Sequence, residues 1–123
     1  MLSDAEKREI RKEWIRRRQE KQEKEEQLRE EALQRAILIA RFLKDKYGVE
    51  KTYLFGSLAR EGPFDHLSDI DLFVIGWKEE DKYWSMYTEV EEIARPFPIS
   101  VVTERGALPS LVETIYREGR VLK

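Results

Sequence analysis

The sequence predicts a small two-layer α/β (α+β) domain, a mixed sheet packed on helices, preceded by a long charged N-terminal helix. Three observations predict it. Residues 3 to about 30 contain neither Gly nor Pro and are dominated by Glu, Lys, Arg and Gln, all good helix formers. From Glu31 onward, apolar residues recur at helical spacing and alternate with short apolar runs bounded by Gly and Pro. At 123 residues the chain has room for one such domain, divided here as a helical extension 1–30 and a domain 31–123.

Charge is concentrated in the extension. Charged residues are 39% of the chain, and between Asp4 and Glu30 ten Lys/Arg and nine Asp/Glu make 19 of 27 positions charged. The signs nearly balance there, and the whole chain carries −2, which argues against direct nucleic-acid binding. Ser3 with Glu6 forms a capping box, and Asp4/Arg8, Glu13/Arg17, Glu20/Lys24 and Glu25/Arg29 place opposite charges four apart. Ile10, Trp14, Ile15 and Leu28 are the few apolar residues, with no sustained heptad seam. Two readings follow: a solvated helix, or an arm for a partner or a second copy, anchored by Ile10 and Trp14.

The domain elements follow in order. Leu33, Ala36, Ile37, Ala40, Leu43 and Tyr47 form a helical stripe, widened by Leu38, Ile39 and Phe42 toward burial on two sides, and Gly48 ends it. Thr52–Phe55 reads as a strand broken by Gly56-Ser57, with a helix starting at Leu58-Ala59. Asp69–Ile75 reads as a second strand and Ile99–Val102 as a third. Between them Tyr83, Met86, Tyr87, Val90 and Ile93 give an amphipathic helix closed by Pro96 and Pro98. Pro109 opens a last helix, ended by Gly119. Trp77, Tyr83, Trp84 and Tyr87 are read as core, with a base-stacking platform as the alternative. His66 reads as a surface-loop histidine, and Asp65 as a turn former.

Chemistry is concentrated in Gly56-Ser57-Leu58-Ala59-Arg60 and Ser68-Asp69-Ile70-Asp71-Leu72. Side chains alternate along a strand, so Asp69 and Asp71 share a face, about 6–7 Å apart. Two carboxylates on one face repel unless a cation relieves them, and Mg²⁺ binds through such oxygens together with substrate phosphates. Gly56 permits close backbone approach, Ser57 offers a hydroxyl, and Arg60 a charge-assisted fork for phosphate. Free N–H groups at a helix start would add to that cradle. The chain has no cysteine, which excludes thiol catalysis and thiolate metal sites and fits a reducing cytoplasm. No apolar run is long enough to span a bilayer, so no membrane association is expected.

From Glu31 to Lys123 the pattern resembles the minimal branch of the DNA polymerase beta-type nucleotidyltransferase superfamily. The resemblance implies a nucleotidyltransferase fold in which Gly56, Ser57 and Arg60 bind a nucleoside triphosphate, most simply ATP. It implies that Asp69 and Asp71 are catalytic and hold Mg²⁺ (or Mn²⁺). A third acid is implied on the Pro98–Thr103 strand, at the place of Ser100; Glu104 lies on the same face two steps further and would compensate if the strand continued. The loop between Ser57 and Asp69 is also one residue longer than usual in the family, Glu61 being the addition. Minimal members commonly pair with a HEPN-type ribonuclease in a toxin–antitoxin module, acting as the antitoxin that transfers AMP to the toxin or caps it. Three functions therefore stand: an active transferase, a catalytically impaired homologue that binds nucleotide or partner, and an antibiotic-type transferase. The last is disfavoured because those enzymes need a second domain for the acceptor.

Overall fold

The computed structural model describes all residues, 1–123. Its first element, α1, is one uninterrupted helix from Asp4 to Tyr47, about 66 Å long at 1.5 Å per residue. The caps match the sequence signals. Ser3 Oγ accepts from the Glu6 N–H while Glu6 Oε1 accepts from the Ser3 N–H, and Gly48 closes the helix at φ 66°. Of the four charge pairs anticipated along the extension, Glu13/Arg17 is an ion pair at 3.2 Å, and Arg16 bridges Glu13 and Glu20. Arg29 does not join Glu25; it reaches across to a loop of the domain.

Burial along α1 begins near Leu28, and Ala32, Ala36, Ile39 and Leu43 are fully buried. Packed against both the sheet and a second helix, α1 buries Ile39 fully and Phe42 in part, whereas Leu38 stays 47% exposed. Small residues at 32, 36 and 40 let the helix backbone approach the sheet closely.

Strands β1 (Lys51–Phe55), β2 (Ile70–Ile75), β3 (Ile99–Thr103) and β4 (Arg120–Leu122) form one mixed sheet in the order β3-β2-β1-β4. Here β1 is antiparallel to both β2 and β4, while β2 and β3 run parallel. The fourth strand was not anticipated. Three residues are too few for a periodic signal, and the pairing of Tyr53 with Val121 is long-range. The parallel pair is joined through helix α2 (Tyr83–Ala94), which packs Met86, Val90 and Ala94 beside α1.

Together α1 and α2 form the helical layer over Leu54, Ile70, Leu72, Val74 and Val101. The other sheet face carries Tyr53, Asp71, Phe73 and Ser100. Helix α3 (Pro109–Glu118) lies over part of that face, burying Ile115 and bringing Tyr116 against Tyr53 and Phe73. Tyr83 and Tyr87 donate their hydroxyls to the Val101 and Ile99 carbonyls, tying α2 to β3, and Trp77 is buried. Trp84 departs from the core expectation. At 74% exposed it sits on the outer face of α2, stacked edge-on to its two tyrosine neighbours.

Candidate functional site

The site is built where β1 ends. Phe55 pairs with Asp71, and the next residue, Gly56, turns the chain at φ 71°. A Cβ at position 56 would lie 2.2 Å from Asp71 Oδ2, so only glycine lets the turn pass over the carboxylate. A single 3₁₀ turn, Gly56–Leu58, follows. The helix expected from Leu58-Ala59 does not form, so no helix dipole backs this turn. Of the residues expected to cradle phosphate, Gly56 and Arg60 line a common cavity, while Ser57 is not among its lining residues.

Asp71 is half-buried on β2. Burial pushes its carboxyl above the ordinary range; the charge of Asp69 adds to this, and Arg60 opposes it. Asp69 immediately precedes β2 rather than lying within it, and is exposed. Neither carboxylate makes a hydrogen bond or ion pair with a protein group. Two carboxylates left in this state suit a hard cation with oxygen ligands.

Ser100 is the register partner of Asp71 across the parallel β2–β3 pair. Gly56, Arg60, Asp71 and Ser100 line one cavity of about 370 Å³, with Thr114 and Glu118 of α3 on its far wall. Arg60 Nε donates to the Gly56 carbonyl at 3.3 Å, and its terminal nitrogens make no protein hydrogen bond. No third His, Cys, Asp or Glu joins Asp69 and Asp71 in a cluster. Glu104 stands elsewhere. The strand stops at Thr103, and Glu104 Oε1 accepts from the Gly76 N–H at 2.9 Å, beyond the opposite end of β2. The alternation that would have carried it to the face of Ser100 ends too early.

His66 is exposed in the loop before Asp69. Asp65 makes an Asx turn, its Oδ1 accepting from the Leu67 N–H at 2.8 Å while the Asp65 N–H donates to Ser68 Oγ at 3.1 Å. Two contributors escaped the sequence reading. Glu118 reaches the cavity only because α3 crosses the sheet. Arg29 bonds the loop after Gly56 only because α1 passes beside it, although its position one turn before Ala32 on the packing stripe was a signal.

Residues 38–123 match the family model described as polymerase beta, nucleotidyltransferase. The chain belongs to this nucleotidyltransferase family. The fold agrees with solved structures of the same kind. A mutant of the toxin–antitoxin pair MntA–HpeT aligns at TM-score 0.57 and 25% identity, over 70% of this chain and 69% of that one. A toxin–antitoxin crystal structure with AMP-PNP aligns at TM-score 0.59 and 23% identity, over 72% of each chain. A minimal nucleotidyltransferase aligns at TM-score 0.55 and 28% identity, over 72% of this chain and 90% of that one. No curated protein matches the chain significantly in sequence. The nucleotidyltransferase match begins inside α1, so the charged first half of that helix lies outside the family model.

Proposed function

We propose that this nucleotidyltransferase-fold protein is the antitoxin of a toxin–antitoxin pair, binding a nucleoside triphosphate (ATP) and acting on a HEPN-type ribonuclease toxin. The observation that carries the reading is the close approach of Gly56 to Asp71, at a cavity that both residues line together with Arg60, Asp69 preceding Asp71 by two positions. The toxin–antitoxin assignment of the similar solved structures, one of them with AMP-PNP, supports the partner and the nucleotide. Absence of cysteine and of any helix long and apolar enough to cross a membrane is compatible with a cytoplasmic partner.

Asp69 and Asp71 would hold Mg²⁺ (or Mn²⁺), which when bound supplies neutralisation of the phosphate charge. The residues of the chain do the rest. The Gly56-Ser57 turn lets phosphate oxygens approach the backbone, and Arg60 offers its free terminal nitrogens to them. What the site lacks is a carboxylate at Ser100 to take the proton of an attacking hydroxyl. That lack specifically favours a second reading, in which the chain binds Mg-nucleotide and caps its partner with little or no transfer. The arm carrying Ile10 and Trp14, both exposed, would then supply the contact with the toxin or with a second copy.

Co-purification with the toxin, ATP and Mg²⁺ tests the proposal by intact-mass spectrometry. A toxin mass increased by AMP supports transfer; an unmodified toxin held in a stable complex supports capping. A toxin that is neither modified nor held in a complex would overturn the antitoxin assignment.

A further inference from the structure

The loop after Gly56 holds itself poorly. Residues 60–64 make no backbone–backbone hydrogen bond, and after the single 3₁₀ turn no helix continues. Its carbonyls are gathered instead by one side chain from another element. Arg29 of α1 directs Nη1 to the carbonyls of Ser57 (3.3 Å), Leu58 (3.2 Å) and Arg60 (2.9 Å), and Nη2 to that of Gly62 (2.6 Å). The guanidinium also lies over the ring of Phe64, 5.4 Å from its centroid, and Phe64 is fully buried. Arg29 is thus tied to a fixed ring and spends its fork on the same turn that carries Ser57 and Arg60. It forms no ion pair with any carboxylate of its own helix.

We propose that Arg29 is a positioning residue of the nucleotide site, delivering the order of the Ser57–Gly62 loop from the N-terminal helix. The inference rests on the reading of Gly56, Ser57 and Arg60 as a phosphate-binding turn. A loop ordered only on binding charges the cost of ordering to the ligand's affinity, whereas a loop held in advance does not. A planar guanidinium fork can serve several carbonyls in one geometry; an ammonium is a point charge with no such fork. Arg29 therefore acts through shape, and its charge alone does not replace it. Position 29 lies N-terminal to the residues matched by the family model, so the site depends on a segment outside that model.

The test uses the full chain with Mg²⁺ and AMP-PNP. Calorimetric affinity is compared for the natural protein, Arg29→Lys and Arg29→Met, together with amide hydrogen exchange of a peptide covering 55–64. Both variants should bind about tenfold more weakly or worse, as supporting residues behind a ligand-binding group commonly do when replaced. Exchange in 55–64 should accelerate while that of β2 and α2 stays unchanged. Circular dichroism verifies folding, and Arg29→Lys serves if Arg29→Met does not fold. Full affinity in Arg29→Lys would show that charge suffices and overturn the proposal, as would unchanged exchange in 55–64. If the natural protein binds no nucleotide, the phosphate-site reading fails, and the proposal that rests on it fails with it. Faster exchange would then leave only a structural clamp.

Discussion

Gly56 and Asp71 face each other across the β1–β2 pair with no room for a side chain between them, since a Cβ at 56 would come within 2.2 Å of Asp71 Oδ2. The turn at 56 also has φ 71°, a left-handed conformation costly for other residues. Gly56→Ala should therefore do two things at once. It should cost about 1–3 kcal/mol of stability through backbone strain, measured by urea denaturation. It should also displace the Asp71 carboxylate and remove Mg–AMP-PNP binding by calorimetry. Retained nucleotide binding would show that Asp71 is not part of the site.

Asp71 itself should trade stability for binding. Its folded-state pKa is raised, chiefly by burial, so the folded chain holds this proton more tightly than the unfolded one. Its contribution to stability is therefore present below the ordinary carboxylate range and lost as pH rises through the elevated value. At neutral pH Asp71→Asn should melt higher than the natural protein without ligand, and the gap should shrink toward acid pH. Glu89, lowered by Lys46 and Tyr47, works in the opposite sense but is common to both proteins and drops out of the comparison. With Mg²⁺ added, the natural protein should gain stability and Asp71→Asn should not. A lower melting temperature for the ligand-free variant would contradict the burial account.

Ser100→Asp tests whether catalysis is limited by a missing acid. Position 100 is aligned with Asp71 on the adjacent parallel strand, so the new carboxylate would enter the same cavity. AMP transfer to the co-purified toxin should rise on the order of 10²–10⁴-fold, the usual contribution of a positioned base. Glu104→Gln should leave transfer unchanged, because Glu104 is engaged with Gly76. A large loss in Glu104→Gln would require a rearranged β3.

Removal of residues 1–24 should leave the domain intact, because burial along α1 begins near Leu28. The ion pairs lost, Glu13 with Arg16 and Arg17 among them, lie within the removed segment. Stability measured by denaturant should change by roughly 0.5 kcal/mol or less. Removal of 1–30 should be worse in loop order, since it also takes Arg29. If the arm mediates association, Ile10→Asp with Trp14→Asp should lower the mass seen by light scattering of the full chain or its complex. An unchanged mass would leave the arm a solvated helix.

The caps of α1 at Ser3 and Gly48, the helical stripe through Ala36 and Leu43, and three of the four strands are legible in the sequence alone. These depend on interactions within a few residues, or on periodicity that one face of an element must satisfy. The other features depend on contacts between elements far apart in the chain. Strand β4 forms where Val121 meets Tyr53, and the carbonyls of Ser57, Leu58 and Arg60 after the turn are held by Arg29 of α1. Glu104 is lost to the site because β3 ends at Thr103 and Gly76 offers an N–H there. In each case the deciding partner lies many residues away, and a contact across that distance leaves no trace in local composition or spacing.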